Sequence, residues 1–169
     1  GARTLWLRPD GINKLSEKEI FVKILVAGGA GFIGSHVVDS YICDGHQTVV
    51  ADSLASGSRD NLNMAATFYE VDLCDRTALE DVFEREQPDY VNHHAAQVDV
   101  RRAVEDPSYD AHQNVMGTIN LLECCRKYSV QKIIFVSSGG AVYGEPISFP
   151  VTESHPICPL SPYGLSKYI

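Results

Sequence analysis

Basic residues are scarce in this chain: 14 Lys and Arg stand against 22 Asp and Glu, a formal charge of −8. So acidic a balance argues against nucleic acid or an anionic membrane as partner, leaving room for no more than a local basic pocket. No apolar run approaches the ~20 residues that a membrane span needs. The five cysteines, Cys43, Cys74, Cys124, Cys125 and Cys158, are odd in number and show no paired CxxC spacing. That pattern disfavours a structural metal or a disulfide scaffold and fits a reducing, cytoplasmic setting. Adjacent Cys124 and Cys125 allow a strained vicinal disulfide, but the favoured reading is a small apolar helix residue beside a half-exposed neighbour. Near the start, Leu5-Trp6-Leu7 between Arg3 and Arg8 is far short of the ~7–15 apolar residues of a signal peptide, so no leader is expected.

What the chain does have is an ordinary globular composition, 44% apolar and 21% charged over 169 residues, which suits one domain. Residues 1–20 differ from the rest, with turn chemistry at Pro9-Asp10-Gly11 and a charge-rich stretch from Lys14 to Glu19. They read as an extension outside the fold or as an arm docking through Trp6. The domain proper is expected over 21–169.

There the pattern alternates. Residues 22–27 form an apolar run of strand length, and Ile33, Val37 and Tyr41 follow at the spacing of one helical stripe that Gly45 can end. Strands are predicted at 48–51, 67–71, 89–93 and 132–136. Asp75 should cap a helix that buries Leu79, Val82 and Phe83. A longer helix is predicted over about 109–128, burying Val115, Ile119 and Leu122. Near-continuously apolar strands alternating with helices imply a doubly wound parallel α/β sheet of the Rossmann type, covered on both faces.

Gly28-Gly29-Ala30-Gly31-Phe32-Ile33-Gly34 lies where the first strand ends and the first helix begins. Gly28 permits the tight turn, Gly31 lets the backbone approach a pyrophosphate, and Gly34 lets helix and strand pack closely. The helix N-terminus then turns unpaired N–H groups toward the phosphates. Asp52 closes the second strand 21 residues after Gly31. An acid at that distance hydrogen-bonds adenosine ribose hydroxyls and repels a 2′-phosphate, favouring NAD over NADP. The plainer alternative for Asp52 is a strand-end turn residue. Arg59, in the loop that follows, is the residue within reach of a 2′-phosphate.

Ser161-Pro162-Tyr163-Gly164-Leu165-Ser166-Lys167 carries an N-cap residue, a Pro suited to the first helical position, and Tyr163 and Lys167 at i, i+4. A phenol titrates near 10 in water, and a fixed ammonium beside it favours the phenolate. The pair therefore suits proton transfer to or from a hydroxyl while a hydride moves to a cofactor. Alone, such a pair is common on solvated helix faces. Upstream, Ser137-Ser138-Gly139-Gly140-Ala141-Val142-Tyr143-Gly144 ends the fifth strand in two hydroxyl residues, at the sheet edge where ligands of such folds bind.

With these segments, together with Asp52-Ser53-Leu54-Ala55-Ser56-Gly57, Val71-Asp72-Leu73, His93-His94-Ala95-Ala96-Gln97-Val98 and Asn114-Val115-Met116-Gly117-Thr118, the chain resembles the extended short-chain dehydrogenase/reductase family, in particular its nucleotide-sugar epimerases. The resemblance runs from about Val22 to Lys167. It implies NAD as cofactor, held by Gly28, Gly31, Phe32, Ile33, Gly34 and Asp52, with Asp72 and Leu73 lining the adenine. Ala95, Ala96 and Gln97 would lie under the central part of the cofactor. Tyr163 would be the acid/base, and Lys167 would hold both the nicotinamide ribose and the phenolate. Asn114 would support that lysine through water.

Ser138 is the hydroxyl expected to polarise the reacting oxygen, with Ser137 as runner-up. His93 and His94 are expected to pack and line the cofactor site, and no metal is expected. Gly139 and Gly140 stand where the family's dehydratases carry acids, which points to 4-epimerisation of a nucleotide-sugar, a UDP-sugar foremost. Because family members continue well past the Tyr-x-x-x-Lys motif, residues 21–169 are expected to be the cofactor half without the C-terminal substrate lobe. A homodimer through the two long helices, about 109–128 and the one beginning at Pro162, is implied as well, with the interface expected to be weakened because the second is cut short. The competing class is a module that binds NAD and does no chemistry.

Overall fold

The computed structural model describes residues 21–169; the expectations for the extension and for Trp6 lie outside that span. Five strands, β1 (Lys23–Ala27), β2 (Gln47–Asp52), β3 (Thr67–Glu70), β4 (Tyr90–His93) and β5 (Lys132–Phe135), form one sheet in the order β3-β2-β1-β4-β5. Each neighbouring pair is parallel. The chain winds outward from β1 in both directions, so the loops at the carboxyl ends of the strands meet along one edge.

Side chains alternate across the sheet. Leu25, Ala27, Val49, Ala51 and Val91 face Leu79, Val82 and Phe83 of α2 (Arg76–Glu86) and Leu121, Cys124 and Cys125 of α5 (Gly117–Lys127). Ile24, Val26 and Val50 face Val38 of α1 (Phe32–Cys43). Asp75 caps α2 by accepting from Ala78 N–H at 3.0 Å, as the sequence predicts, and that helix buries the three expected residues. Gly45 follows α1 with φ +87°, the left-handed turn expected of it.

Three details depart from the sequence reading. α1 buries Gly34, Ser35 and Val38, while Ile33 is 60% exposed. Gly34 packs its backbone against the glycine turn, so the glycine face meets the sheet, while of the expected stripe Tyr41 still packs against the core and Ile33 does not. After a separate α3 (Val100–Glu105), the predicted long helix is three pieces: α4 (Pro107–Ala111), a π-helical turn at His112–Met116, and α5. The extra residue of the π turn shifts the phase, so Leu121, Cys124 and Cys125 are buried and Ile119 and Leu122 stand exposed. Cys125, at 8% exposure, is thus buried like Cys124. Burial pushes both thiols up, to about 11 for Cys124 and about 12 for Cys125, which keeps them unreactive.

Candidate active site

The first wall of the carboxyl edge is the glycine turn. Gly28 has φ +81°, and a Cβ there would stand 2.4 Å from Ala95 N, so only glycine fits against the loop after β4. A Cβ on Gly34 would stand 2.1 Å from Gly28 O. At Gly31, by contrast, a Cβ would meet only Gly28 O, at 3.3 Å, and would otherwise fill the hollow over the helix start. Gly31 is the N-cap of α1, so Phe32, Ile33 and Gly34 occupy the first turn, where N–H groups have no intrahelical acceptor. The side chains of Phe32 and Ile33 line a shallow concavity with His36, Tyr41 and Asn92, so what these residues offer the hollow is backbone. A bare helix start beneath a glycine hollow fits a pyrophosphate.

Asp52, 9% exposed, closes β2 beside this turn. Its Oδ2 accepts from Ala30 N–H at 3.0 Å and its Oδ1 from Leu54 N–H at 2.8 Å. The carboxylate therefore splints the glycine loop, the turn role that the sequence leaves as one alternative, and its remaining lone pairs leave room for the other. Asp72 Oδ1 accepts from Cys74 N–H at 2.9 Å, and Leu73 is buried in the core below it. Ala95 N–H donates to Ala27 O at 2.8 Å, which holds the strand-end loop against Gly28, with Ala96 next along the loop.

A polar network adjoins that loop. Gln97 N–H donates to Asn114 Oδ1 at 2.8 Å, and Asn114 Nδ2 donates back to Gln97 O at 3.0 Å. The same Nδ2 lies 3.0 Å from Asp110 Oδ1 and 3.2 Å from Ser166 Oγ. Asp110 is 1% exposed and also accepts from Gln97 Nε2 at 3.1 Å. Sequence reasoning passed over Asp110 and Ser166. The available signals were an acid four residues before Asn114 and a hydroxyl inside the Tyr-x-x-x-Lys helix. The π turn is what aims Asn114 inward.

The second wall is α7 (Pro162–Tyr168), capped by Ser161, whose Oγ accepts from Gly164 N–H at 3.0 Å. It buries Tyr163 and Lys167, at 9% and 7% exposure. Lys167 Nζ donates to Val136 O at 3.0 Å and lies 4.9 Å from the centroid of the Phe135 ring. Burial pulls this ammonium below the usual lysine range, and the Asp110 charge partly offsets that. Ser137 Oγ donates to Lys167 O at 3.0 Å. Ser138 caps the short α6 (Gly139–Val142), which packs on α7, and its hydroxyl makes no capping bond.

His93, 2% exposed, sits under this wall with Nε2 3.0 Å from Thr118 Oγ1. Thr118 spends its own proton on Asn114 O at 2.6 Å, so His93 is the donor of that contact and its Nδ1 is left with a buried lone pair. Burial, and then the charges of Lys167 and His94, push His93 down to about 4, so it is neutral. No three His, Cys, Asp or Glu side chains group as metal ligands do among the described residues. None of the described helices is long and apolar enough to cross a membrane.

A parallel α/β sheet whose carboxyl edge carries a glycine turn, a strand-end acid and a buried Tyr–Lys helix defines a dinucleotide-binding domain of the short-chain dehydrogenase type. The chain belongs to the NAD dependent epimerase/dehydratase family, whose profile matches residues 24–169. It is 42% identical over 151 residues to a UDP-glucose 4-epimerase of Mycolicibacterium smegmatis, covering 86% of this chain and 48% of that one. A UDP-glucose 4-epimerase of Thermotoga maritima, solved with UDP-glucose, superposes with TM-score 0.84 at 49% identity over 86% of this chain and 48% of its own. The Thermus thermophilus UDP-glucose 4-epimerase in complex with NAD gives TM-score 0.83 at 46% identity, over 86% and 47% of the two chains. The chain therefore spans about half the length of the curated relatives it matches. NAD is the cofactor of the family.

Proposed function

We propose that residues 21–169 bind NAD along the carboxyl edge and form the cofactor half of an enzyme that 4-epimerises a nucleotide-sugar, with a UDP-sugar as substrate. The placement of Lys167 carries this reading: its ammonium is buried, held by Val136 O and set against Phe135, one helical turn from Tyr163. NAD, when bound, takes up and returns a hydride. Tyr163 removes the proton of the sugar 4-hydroxyl and gives it back after the 4-keto sugar has turned over, and the Lys167 ammonium favours the phenolate that this requires. Ser138 polarises the reacting oxygen; Ser137 is the poorer candidate, because its hydroxyl is already bonded to Lys167 O. Asp52 takes the adenosine ribose, Asp72 and Leu73 flank the adenine, and Ala95, Ala96 and Gln97 support the middle of the cofactor. Asn114, bonded to Gln97 and Ser166, ties that support to the Tyr–Lys helix.

Exposed apolar residues on the two helices, Met116 and Ile119 on one side and Leu165 and Tyr168 on the other, support a homodimer through them. Free, buried Cys124 and Cys125 are in keeping with a reducing, cytoplasmic setting. The test is calorimetric titration of NAD into this chain and into Asp52→Ala, with folding of both checked by circular dichroism. Binding that the substitution weakens at least about tenfold supports the cofactor reading; a folded chain that ignores NAD sinks it. In a protein of the relatives' length, Tyr163→Phe should then abolish UDP-galactose turnover. NAD binding without turnover in the unsubstituted long protein would leave a non-catalytic NAD-binding module.

A further inference from the structure

β2 and β3 run in register with Asp52 opposite Glu70, so the backbones of these two acidic residues are one strand spacing apart, about 4.8 Å. Glu70 is not free. Its Oε2 is paired with Arg59 Nη2, and the Arg59 guanidinium lies over the Phe68 ring, 5.1 Å from the centroid. Arg59 belongs to a short 3-10 turn, Arg59–Asn61, that is fastened to the glycine loop. Ser58 N–H donates to Ala30 O at 3.1 Å, and Asn61 Nδ2 donates to the same oxygen at 2.9 Å. Ala30 in turn donates its N–H to Asp52. One short chain of bonds thus sets an arginine beside the acid assigned to the adenosine ribose.

An arginine in that neighbourhood of a Rossmann sheet is what accommodates a cofactor 2′-phosphate, and the planar guanidinium suits phosphate well. In this chain the guanidinium is turned to Glu70 and Phe68 instead. We infer that Glu70 and Arg59 form a selectivity latch, in which Glu70 holds Arg59 over Phe68 and away from a 2′-phosphate. Discrimination against NADP is then set twice, by repulsion at Asp52 and by sequestration of Arg59 at Glu70. The latch rests on the dinucleotide-binding reading above. Both side chains are solvated, 63% and 53% exposed, so the pair is weak and its release moves affinities severalfold, not by orders of magnitude.

Removing Glu70 also removes a negative charge, and the test must separate that loss from release of Arg59. NAD and NADP are titrated calorimetrically, at low ionic strength, into the full chain and into Glu70→Gln, Arg59→Ala and the double variant. The ratio Kd(NADP)/Kd(NAD) should fall about two- to fivefold in Glu70→Gln, and Arg59→Ala in that background should restore it. A gain for NADP that survives Arg59→Ala would reduce the effect to lost repulsion and overturn the latch. NAD binding with an unmoved ratio would overturn the latch alone. A folded parent chain that binds neither dinucleotide would overturn the cofactor reading and the latch with it.

Discussion

The two walls of the carboxyl edge are built differently. The glycine wall stands on β1 and β2, where Leu25, Val26, Ala27, Val50 and Ala51 are fully buried between α1 on one face and α2 with α5 on the other. The groups it offers are backbone N–H groups and one carboxylate, Asp52, splinted by the N–H groups of Ala30 and Leu54. The Tyr–Lys wall stands on β5, an outer strand among the described residues, where Ile134 and Phe135 are 45% and 42% exposed. There the proposed chemistry rests on side chains of α7, placed by contacts that span long stretches of sequence: Lys167 to Val136, Ser137 to Lys167, and Asn114 to Ser166. A cradle made of backbone at a strand–helix junction needs only local geometry and a buried sheet. The Tyr–Lys pair, by contrast, is positioned by bonds to residues some thirty to fifty positions away in the sequence, so its placement needs tertiary contacts.

The contrast is most strongly tested by truncating one side chain on each side. Phe83, fully buried and 5.9 Å from the Tyr128 ring, should cost about 4 kcal/mol as Phe83→Ala. Ile134→Ala, on the half-covered strand, should cost less than about 1 kcal/mol. Urea midpoints compare the two, and equal losses would erase the distinction. Next is acid. His93 sits at the seam between the walls, against Phe135, with its folded value near 4 in place of 6.5. Between those values the unfolded chain binds the extra proton, so stability rises with pH across the window and is lost as pH falls through it. This imidazole alone should withdraw about 3 kcal/mol between pH 7 and pH 4. Urea unfolding across that range measures the total, and an NMR titration of the His93 ring that found it charged at pH 6 would refute the assignment. The smallest effect compares two helix caps. Asp75→Ala and Ser161→Ala should each cost about 1 kcal/mol. The first should lower the global unfolding free energy, while the second should appear as faster amide exchange confined to α7. Global loss in both would mean that α7 is as firmly integrated as α2.

Much of the fold was open to inspection in one dimension, for reasons that particular residues make plain. The strands are short stretches rich in β-branched and aromatic residues between turn residues, and their placement differs from expectation by a residue at most ends. Asp75 with Leu79, Val82 and Phe83, and Ser161 with Pro162, announce helices because caps and stripes are local signals. The gathering of Gly28, Asp52 and Ser138 toward one edge follows from parallel winding, whereas Lys167 joins them through its bond to Val136 O. The misplaced faces of α1 and of the 107–127 segment are instructive, because both errors arise where a functional feature overrides periodicity. In the first, Gly34 pulls the helix in by its backbone. In the second, a π turn inserts the phase shift that aims Asn114 at Gln97 and Ser166. Asp110 stayed hidden because an acid in a polar helix start resembles a solvated surface residue until its burial is known.

By itself, then, the sequence determined the alternation of elements, the glycine turn with its acid, and the i, i+4 spacing of Tyr163 and Lys167. All of these are short-range properties of backbone conformation and residue type. Only the tertiary structure decided that Ser137 is bonded to α7 while Ser138 is not, that Asp110 is buried in the network beneath Lys167, and that Arg59 is turned to Glu70. Those outcomes depend on which groups meet across tens of residues, where burial and hydrogen-bond partners, not local propensity, choose the partner.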